Sequence, residues 1–452
     1  MRNPFHRPNR FLSQAATLAG GTATAQFISI LAAPVLTRLY APDEMGALAG
    51  LMAVVAILGV VAAGRYDQAV LLPEDDSAAL GAAAAGLLVV TGVVLLLFVL
   101  LGGWGETLGP LMGLNPDAWH WALLAPVMVW LLGSEDLLIQ LHVRGRRFRA
   151  LASSQILQQG TASATKIGLG AGGFGLFGLF VGTLSGYLVR IGKMLWDAWP
   201  LLRSEPGAYQ WANIRRQAKR YRKFPILMSG SAFLAAVSTQ MPILLFTALF
   251  SSAVAGHYAL GQSILGMPMA LIGRNVGQIF LERAARARTR PGELSRITLA
   301  LYWRLFLLGA VLLSVVAFHG DRLFPWVFGA RWGEAGRYAQ WMSLWLMFSF
   351  AAAPLGGLFA ALERQGELLG WESGLLALRA AIIAGGFVLG LNVLPIVAVL
   401  SVASAAAYAL LTLRVLRLAG MGVRSALARM LGIFLPVMGA QYVLFQIIET
   451  LR

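Results

Sequence analysis

Residues Ala79–Leu101 read ALGAAAAGLLVVTGVVLLLFVLL, an apolar run without one charged side chain. A helix of that length rises ~35 Å, enough to cross a hydrocarbon core about 30 Å thick. Backbone amides have no water partner inside lipid, so an open run of this kind can be satisfied there only as a helix. The same reading extends outward in both directions. The chain has 452 residues, of which 58% are hydrophobic and 12% charged, about half the charged share of a soluble domain. A soluble protein of this composition would expose more apolar surface than water tolerates. The sequence therefore predicts an all-α, polytopic membrane protein.

Twelve core spans fall at roughly 14–36, 46–66, 79–101, 119–141, 151–171, 174–196, 225–249, 257–281, 297–318, 337–361, 371–391 and 395–416. A further apolar run, 430–448, reads equally as a thirteenth span or as a helix lying in the interface. Residues 1–12 carry the basic character of a leader, but the apolar run behind them is too long for one and is expected to stay as the first span. With the N-terminus cytoplasmic, the cytoplasmic segments hold 23 Lys and Arg, while the opposite loops hold only Arg38, Arg322 and Arg331. That bias predicts the orientation and accounts for the net charge of +16. The longest loop, 197–224, contains RRQAKRYRK and is expected to form a basic amphipathic helix on the cytoplasmic surface.

Several chemistries lack their residues. Cysteine is absent and the five histidines are scattered, so no disulfide framework, thiol nucleophile or metal-ligand spacing is present. The glycine-rich stretch Gly170–Gly175 has no following Lys and reads as a tight turn rather than a phosphate-binding loop. Neither a cofactor, a metal, nucleic acid nor catalysis is expected.

The loop 200–224 divides the chain into an N-lobe, 1–199, and a C-lobe, 225–417, followed by a C-terminal segment 418–452. The lobes read as repeats. Leu39-Tyr40-Ala41-Pro42-Asp43-Glu44-Met45-Gly46-Ala47-Leu48-Ala49 aligns at an offset of 210 with Leu249-Phe250-Ser251-Ser252-Ala253-Val254-Ala255-Gly256-His257-Tyr258-Ala259. Gly64-Arg65 then matches Gly273-Arg274, and Gln68 matches Gln278. Duplicated halves with a site between them are a common transporter architecture.

Three segments carry a family resemblance. Ala33-Pro34-Val35-Leu36-Thr37-Arg38-Leu39-Tyr40-Ala41-Pro42-Asp43-Glu44-Met45-Gly46 resembles the first-hairpin signature of bacterial oligosaccharide flippases. Arg65-Tyr66-Asp67-Gln68-Ala69-Val70-Leu71-Leu72-Pro73 is similar to that family's next motif, and Phe328-Gly329-Ala330-Arg331-Trp332-Gly333-Glu334-Ala335-Gly336 to its late periplasmic one. These flippases form the polysaccharide-transporter branch of the multidrug/oligosaccharidyl-lipid/polysaccharide exporter superfamily. The resemblance implies two six-helix lobes around a central cavity, working by alternating access. It implies an undecaprenyl-diphosphate-linked oligosaccharide, an O-antigen or exopolysaccharide repeat unit, moved from the cytoplasmic to the periplasmic leaflet of the inner membrane. It also implies a proton or sodium gradient as the drive, contact with membrane lipids, and other polysaccharide assembly proteins as partners.

An anionic, hydrated head cannot be exposed to hydrocarbon, so cations inside spans are the residues to weigh. Arg65 and Arg274 occupy equivalent repeat positions, each after a glycine. Two guanidiniums from opposite lobes would grip a diphosphate by forked hydrogen bonds; snorkelling to headgroups, or pairing of Arg65 with Asp67, is the competing use. Arg38 ends span one, where either a release-side phosphate or a hairpin ion pair with Asp43 or Glu44 suits it. Gln155, Gln159, Ser163 and Lys166 share one face of span five, which reads as cavity lining or as glue between helices. Arg304 and Arg379 are further cavity candidates, while Arg190 and Lys193 are expected to snorkel. Glu135 and Asp136 are candidates, with Asp67, for ion coupling; the alternative for the first two is pairing with Arg144 or Arg146. Pro126, Pro242, Pro268 and Pro354 are hinge candidates, and Trp119, Trp121, Trp326 and Trp332 are expected at the interfaces.

Two other functions compete. A drug exporter of the same superfamily would be expected to show an acidic cavity, whereas the ionisable residues here are mostly basic. An oligosaccharide polymerase or ligase would need a substantial periplasmic loop, and those loops are all short.

Overall fold

The structure is a computed structural model that describes residues 8–450 apart from 115, 228, 288 and 289; the side chains of some helical residues, Arg274 and Gln278 among them, lie outside the described set. Among the described residues there is no strand, and ten helices are long and apolar enough to cross a membrane, against the twelve expected. The fully described helix that falls short is the fifth expected span, whose three glutamines and Lys166 lower its apolarity. The chain falls into two compact units that divide between Ala255 and Gly256.

The first unit contains α1 (Pro8–Leu39), α2 (Pro42–Ala62), α3 (Tyr66–Ala69), α4 (Asp76–Leu108), α5 (Leu124–Arg144), α6 (Phe148–Ala171), α7 (Gly175–Ser204), α8 (Trp211–Arg220), α9 (Lys223–Leu227) and α10 (Ser229–Leu249). Its hairpin motif has a local explanation. Pro42 opens α2, where its missing N–H is no loss, and the Glu44 carboxylate accepts the Ala41 N–H at 2.8 Å. Tyr40 is fully buried and its hydroxyl donates to the Lys166 carbonyl at 2.6 Å, which pins the α1–α2 corner to α6. A Cβ at Gly178 would sit 2.5 Å from that hydroxyl, and one at Gly170 2.9 Å from the ring. Glycines on α6 and α7, on either side of the turn, thus leave room for Tyr40. Asp75 caps α4 by accepting the Ala78 N–H at 3.1 Å. The core is built from Leu51, Val55, Leu80, Met128, Phe180 and Met194, and α10 packs on α2.

The second unit contains α11 (Ser252–Ala287), which begins at its edge, then α12 (Pro291–Phe328), α13 (Gly333–Ala352), α14 (Gly357–Ala361), α15 (Gln365–Val388), α16 (Val393–Leu418) and α17 (Val423–Thr450). Helices α12 and α13 meet backbone to backbone: a Cβ at Gly336 would lie 2.2 Å from the Gly320 carbonyl oxygen. Small residues at such crossings are what membrane helices use to approach closely. In the late periplasmic motif Gly329, at φ 102, ends α12. Trp332, expected at an interface, is instead fully buried with its ring 5.4 Å from His257. The run 430–448 lies within α17, which packs on α12 and α16; Phe434 meets Phe306 and Phe348 at 6.4 and 5.7 Å.

Candidate functional site

In the first unit α2 ends at Ala62, short of the expected span end, because the chain turns there. Gly64 has φ +54 and Arg65 has φ 56 and ψ 17. Glycine adopts this left-handed form freely; for arginine it costs about 1–3 kcal/mol and persists only where the surroundings hold it. They do so through α3. Tyr66 is buried and donates its hydroxyl to the Ala218 carbonyl of α8 at 3.0 Å. Helix α8, the expected basic amphipathic helix, docks by Gln217 and by Asn213, whose amide donates to the Ser77 carbonyl at 3.1 Å. Its Arg215, Arg216, Lys219 and Arg220 are exposed.

Arg65 is half-buried, and its Nε is enclosed without a hydrogen-bond partner among the described residues. Asp67 is buried two residues on. Burial raises the Asp67 carboxyl above its ordinary value of 3.8, while the Arg65 charge and backbone N–H groups pull it back. The turn therefore brings Arg65 and Asp67 together and holds a guanidinium edge ready for an acceptor.

Glu135 does not pair with Arg144 or Arg146. Arg144 instead ties down the segment before α4, donating to Asp76 Oδ1 at 3.0 Å and to the Pro73 and Glu74 carbonyls. Glu135, nearly sealed, pairs with Arg190 of α7 at 2.7 Å, and Arg190 also donates to Gln158 of α6 at 2.7 Å. Arg190 thus joins three helices and does not snorkel, and Lys193 pairs with Asp197 four residues on. A buried pair of this kind forms because each ion would otherwise be stranded in low dielectric. The sequence reading missed Arg190 as Glu135's partner; their placement across α5 and α7 is visible only once the helices are packed.

The α6 stripe divides. Gln155 accepts a hydrogen bond from Thr22 of α1 at 3.0 Å, and so joins helices. Gln159 and Lys166 are half-buried, and Ser163 is buried. Gly182 of α7 lies against the Lys166 stem, where a Cβ would be 2.3 Å from Lys166 Cγ. No carboxylate pairs with the Lys166 ammonium among the described residues. Arg38 is exposed and its Nη1 donates to the Pro34 carbonyl at 2.8 Å, while Glu44 is occupied at Ala41.

In the second unit Arg274 lies on α11, with its side chain outside the described residues. Arg304 is exposed on α12. Arg379 is buried on α15; its Nε donates to Ser404 Oγ of α16 at 3.2 Å and its guanidinium lies 4.9 Å over the Trp345 ring of α13. Tyr258 of α11 and Glu372 of α15 lie within its electrostatic reach. The sequence reading missed Trp345 and Glu372, because nothing in spacing alone selects one tryptophan among thirteen. Among the described residues no group of three His, Asp or Glu converges as a metal site would require.

Residues 35–337 match the model of a family described as polysaccharide biosynthesis protein. A search among curated proteins finds no match. Among solved structures, the lipid II flippase MurJ in an inward closed conformation superposes with a TM-score of 0.72 at 10% identity, over 96% of this chain and 92% of that one. A transporter of the MOP superfamily from Pyrococcus furiosus gives 0.62 at 12% identity, over 90% and 96%. An inward-facing multidrug resistance MATE family transporter gives 0.61 at 14% identity, over 91% and 96%. The chain therefore shares its fold with these transporters.

Proposed function

This chain belongs to the polysaccharide biosynthesis protein family, and from that premise we propose that it is a flippase for an undecaprenyl-diphosphate-linked oligosaccharide. It takes the substrate from the cytoplasmic to the periplasmic leaflet of a bacterial inner membrane by alternating access, with its N-terminus cytoplasmic. Arg65 of the N-lobe and Arg274 of the C-lobe grip the diphosphate, and Lys166, Gln159 and Arg379 contribute to the cationic, polar path for the head. The observation that carries this reading is the Arg65 turn, where a strained backbone presents an enclosed guanidinium with an unmet donor. Strain concentrated at one residue is a pointer to function, and a diphosphate is the acceptor that a guanidinium fork matches.

Coupling to a proton or sodium gradient falls to the Glu135–Arg190 pair with Asp136 beside it, and Asp67 at the Arg65 turn is a further candidate carboxylate. Protonating or cation-loading Glu135 would release Arg190 and so loosen the join between α5, α6 and α7. The basic face of α8 suits the anionic cytoplasmic leaflet, and other polysaccharide assembly proteins are the expected partners.

The MATE-like structures support a second reading, a cation-coupled drug exporter. One experiment separates the two. A host deleted for its own oligosaccharide flippase receives this chain with the cognate glycan genes. Restored surface polysaccharide with unchanged drug resistance is the expected result. Raised drug resistance with no polysaccharide would replace the flippase by the exporter.

A further inference from the structure

Helices α15 and α16 are antiparallel neighbours that touch at one end and part at the other. Near their connecting turn they are in full contact, since a Cβ at Gly386 would lie 2.6 Å from Ile396 Cγ1. Toward the opposite end, Gly366, Gly370 and Gly374 form a small-residue face on α15, and a Cβ at any of them would meet nothing within 4 Å. Such a spacing ordinarily seats a neighbouring helix; here Gly370 and Gly374 line a cleft of about 750 Å³ walled by both helices. Ala403, Ala406, Ala407 and Leu410 form the α16 wall.

The open end is charged. Glu367 accepts from Arg414 Nη2 at 2.8 Å and from Arg364 Nη1 at 2.6 Å, so two guanidiniums face one carboxylate and leave a net positive charge. Four residues in, Trp371 lines the cleft with its Nε1–H buried and without a hydrogen-bond partner among the described residues. From Glu367 to Leu378 the cleft runs ~16 Å along the helix, the depth of about one leaflet of hydrocarbon.

We infer that this cleft holds one acyl chain of an anionic diacyl phospholipid, with the phosphate on Arg414 and an ester carbonyl facing Trp371. The chemistry selects this occupant. The walls are apolar and one leaflet deep, the mouth is cationic, and an indole donor about one helical turn (~5 Å) below it needs an acceptor. A phospholipid ester supplies that acceptor, a polyprenyl chain has none, and a helix from another chain has its backbone carbonyls already bonded.

The test is native mass spectrometry of the detergent-purified full chain, incubated with equal phosphatidylglycerol and phosphatidylcholine. Parent protein is expected to retain one phosphatidylglycerol with about tenfold preference, because both lipids offer a phosphate and only the choline cation is repelled by the two guanidiniums at the mouth. Gly374→Leu fills the cleft and should lose the bound lipid, while Gly385→Leu, placed where a Cβ also meets nothing within 4 Å but outside the cleft lining, should keep it. Arg414→Gln should keep one bound lipid but bring the two headgroups toward parity, which covers the case in which Gly374→Leu does not fold. Retention by Gly374→Leu equal to the parent overturns the inference. So does displacement of the phospholipid by equimolar undecaprenyl phosphate, or a parent dimer that Gly374→Leu dissolves with lipid retention unchanged.

Discussion

Gly64-Arg65 and Gly273-Arg274 are the same two letters at the same repeat position, yet their backbones differ. The first pair lies in a left-handed turn that breaks α2 from α3. The second lies inside α11, which runs as one helix from Ser252 to Ala287. Arg65 is therefore fixed in place, by the turn behind it and by the bond from Tyr66 to α8. Arg274 rides on a long helix with Pro268 six residues earlier, and proline is where such helices bend. The same two letters therefore sit in a locked turn in the first unit and inside a continuous helix in the second. Under the proposed function, that contrast would pair one fixed cation with one borne on a helix able to bend.

The comparison can be broken at several points. The largest effect is expected at the arginine itself: Arg65→Ala should abolish export at normal expression, and Arg65→Lys should restore only part of it, since a lysine cannot form the fork. Export by Arg65→Ala at the parent level would reduce the turn to a structural detail. Next comes the join between α5, α6 and α7. Glu135→Gln leaves Arg190 buried without its counter-charge and should destabilise the first unit by about 3–5 kcal/mol, read as a lower thermal midpoint in detergent. The double variant Glu135→Gln/Arg190→Gln should recover much of that loss; equal midpoints for single and parent would show that the pair contributes little.

Smaller effects test how the turn is held. Gly64→Ala places a Cβ at positive φ and 3.3 Å from Pro225 Cβ, and is expected to cost about 1 kcal/mol. The matching Gly273→Ala, inside a helix, should be neutral or stabilising. Similar losses at both would erase the contrast. Tyr66→Phe removes one hydrogen bond to α8 and should cost about 1 kcal/mol, with hydrogen exchange in α8 as the readout. Asp67 gives the smallest effect. Its folded-state value is raised by burial, so its contribution is fully present below its ordinary value and is lost as pH rises through the raised one. Asp67→Asn should flatten that part of the stability profile.

The fold was legible because it rests on long apolar runs; the helix ends were not, since α12 runs Pro291–Phe328 where the apolar run alone marks 297–318. The turn at Arg65 was not legible. Residues 46–66 are apolar enough to read as one span, and a non-glycine left-handed residue follows from what surrounds it rather than from its own letter. Site legibility followed the same line. Arg65 and Arg379 stood out as cations in apolar runs, and the structure encloses both. The partners of Arg379 and of Glu135 did not stand out, because Ser404 and Trp345 reach the first, and Arg190 with Gln158 the second, from other helices, and which faces meet depends on packing. Lys193 appeared to be a headgroup contact for want of one neighbour, Asp197, a turn away.

The central claim is that Arg65 and Arg274 act on one diphosphate. It is tested most directly by a double-mutant cycle on binding of undecaprenyl diphosphate to the purified chain in nanodiscs. Each single change to alanine should weaken binding about 10–100-fold, the worth of a charge-assisted fork. The double variant should lose less than the product of the two, since residues that share a ligand group couple. Binding that is unchanged in both single variants, or two losses that multiply without coupling, would contradict a shared grip.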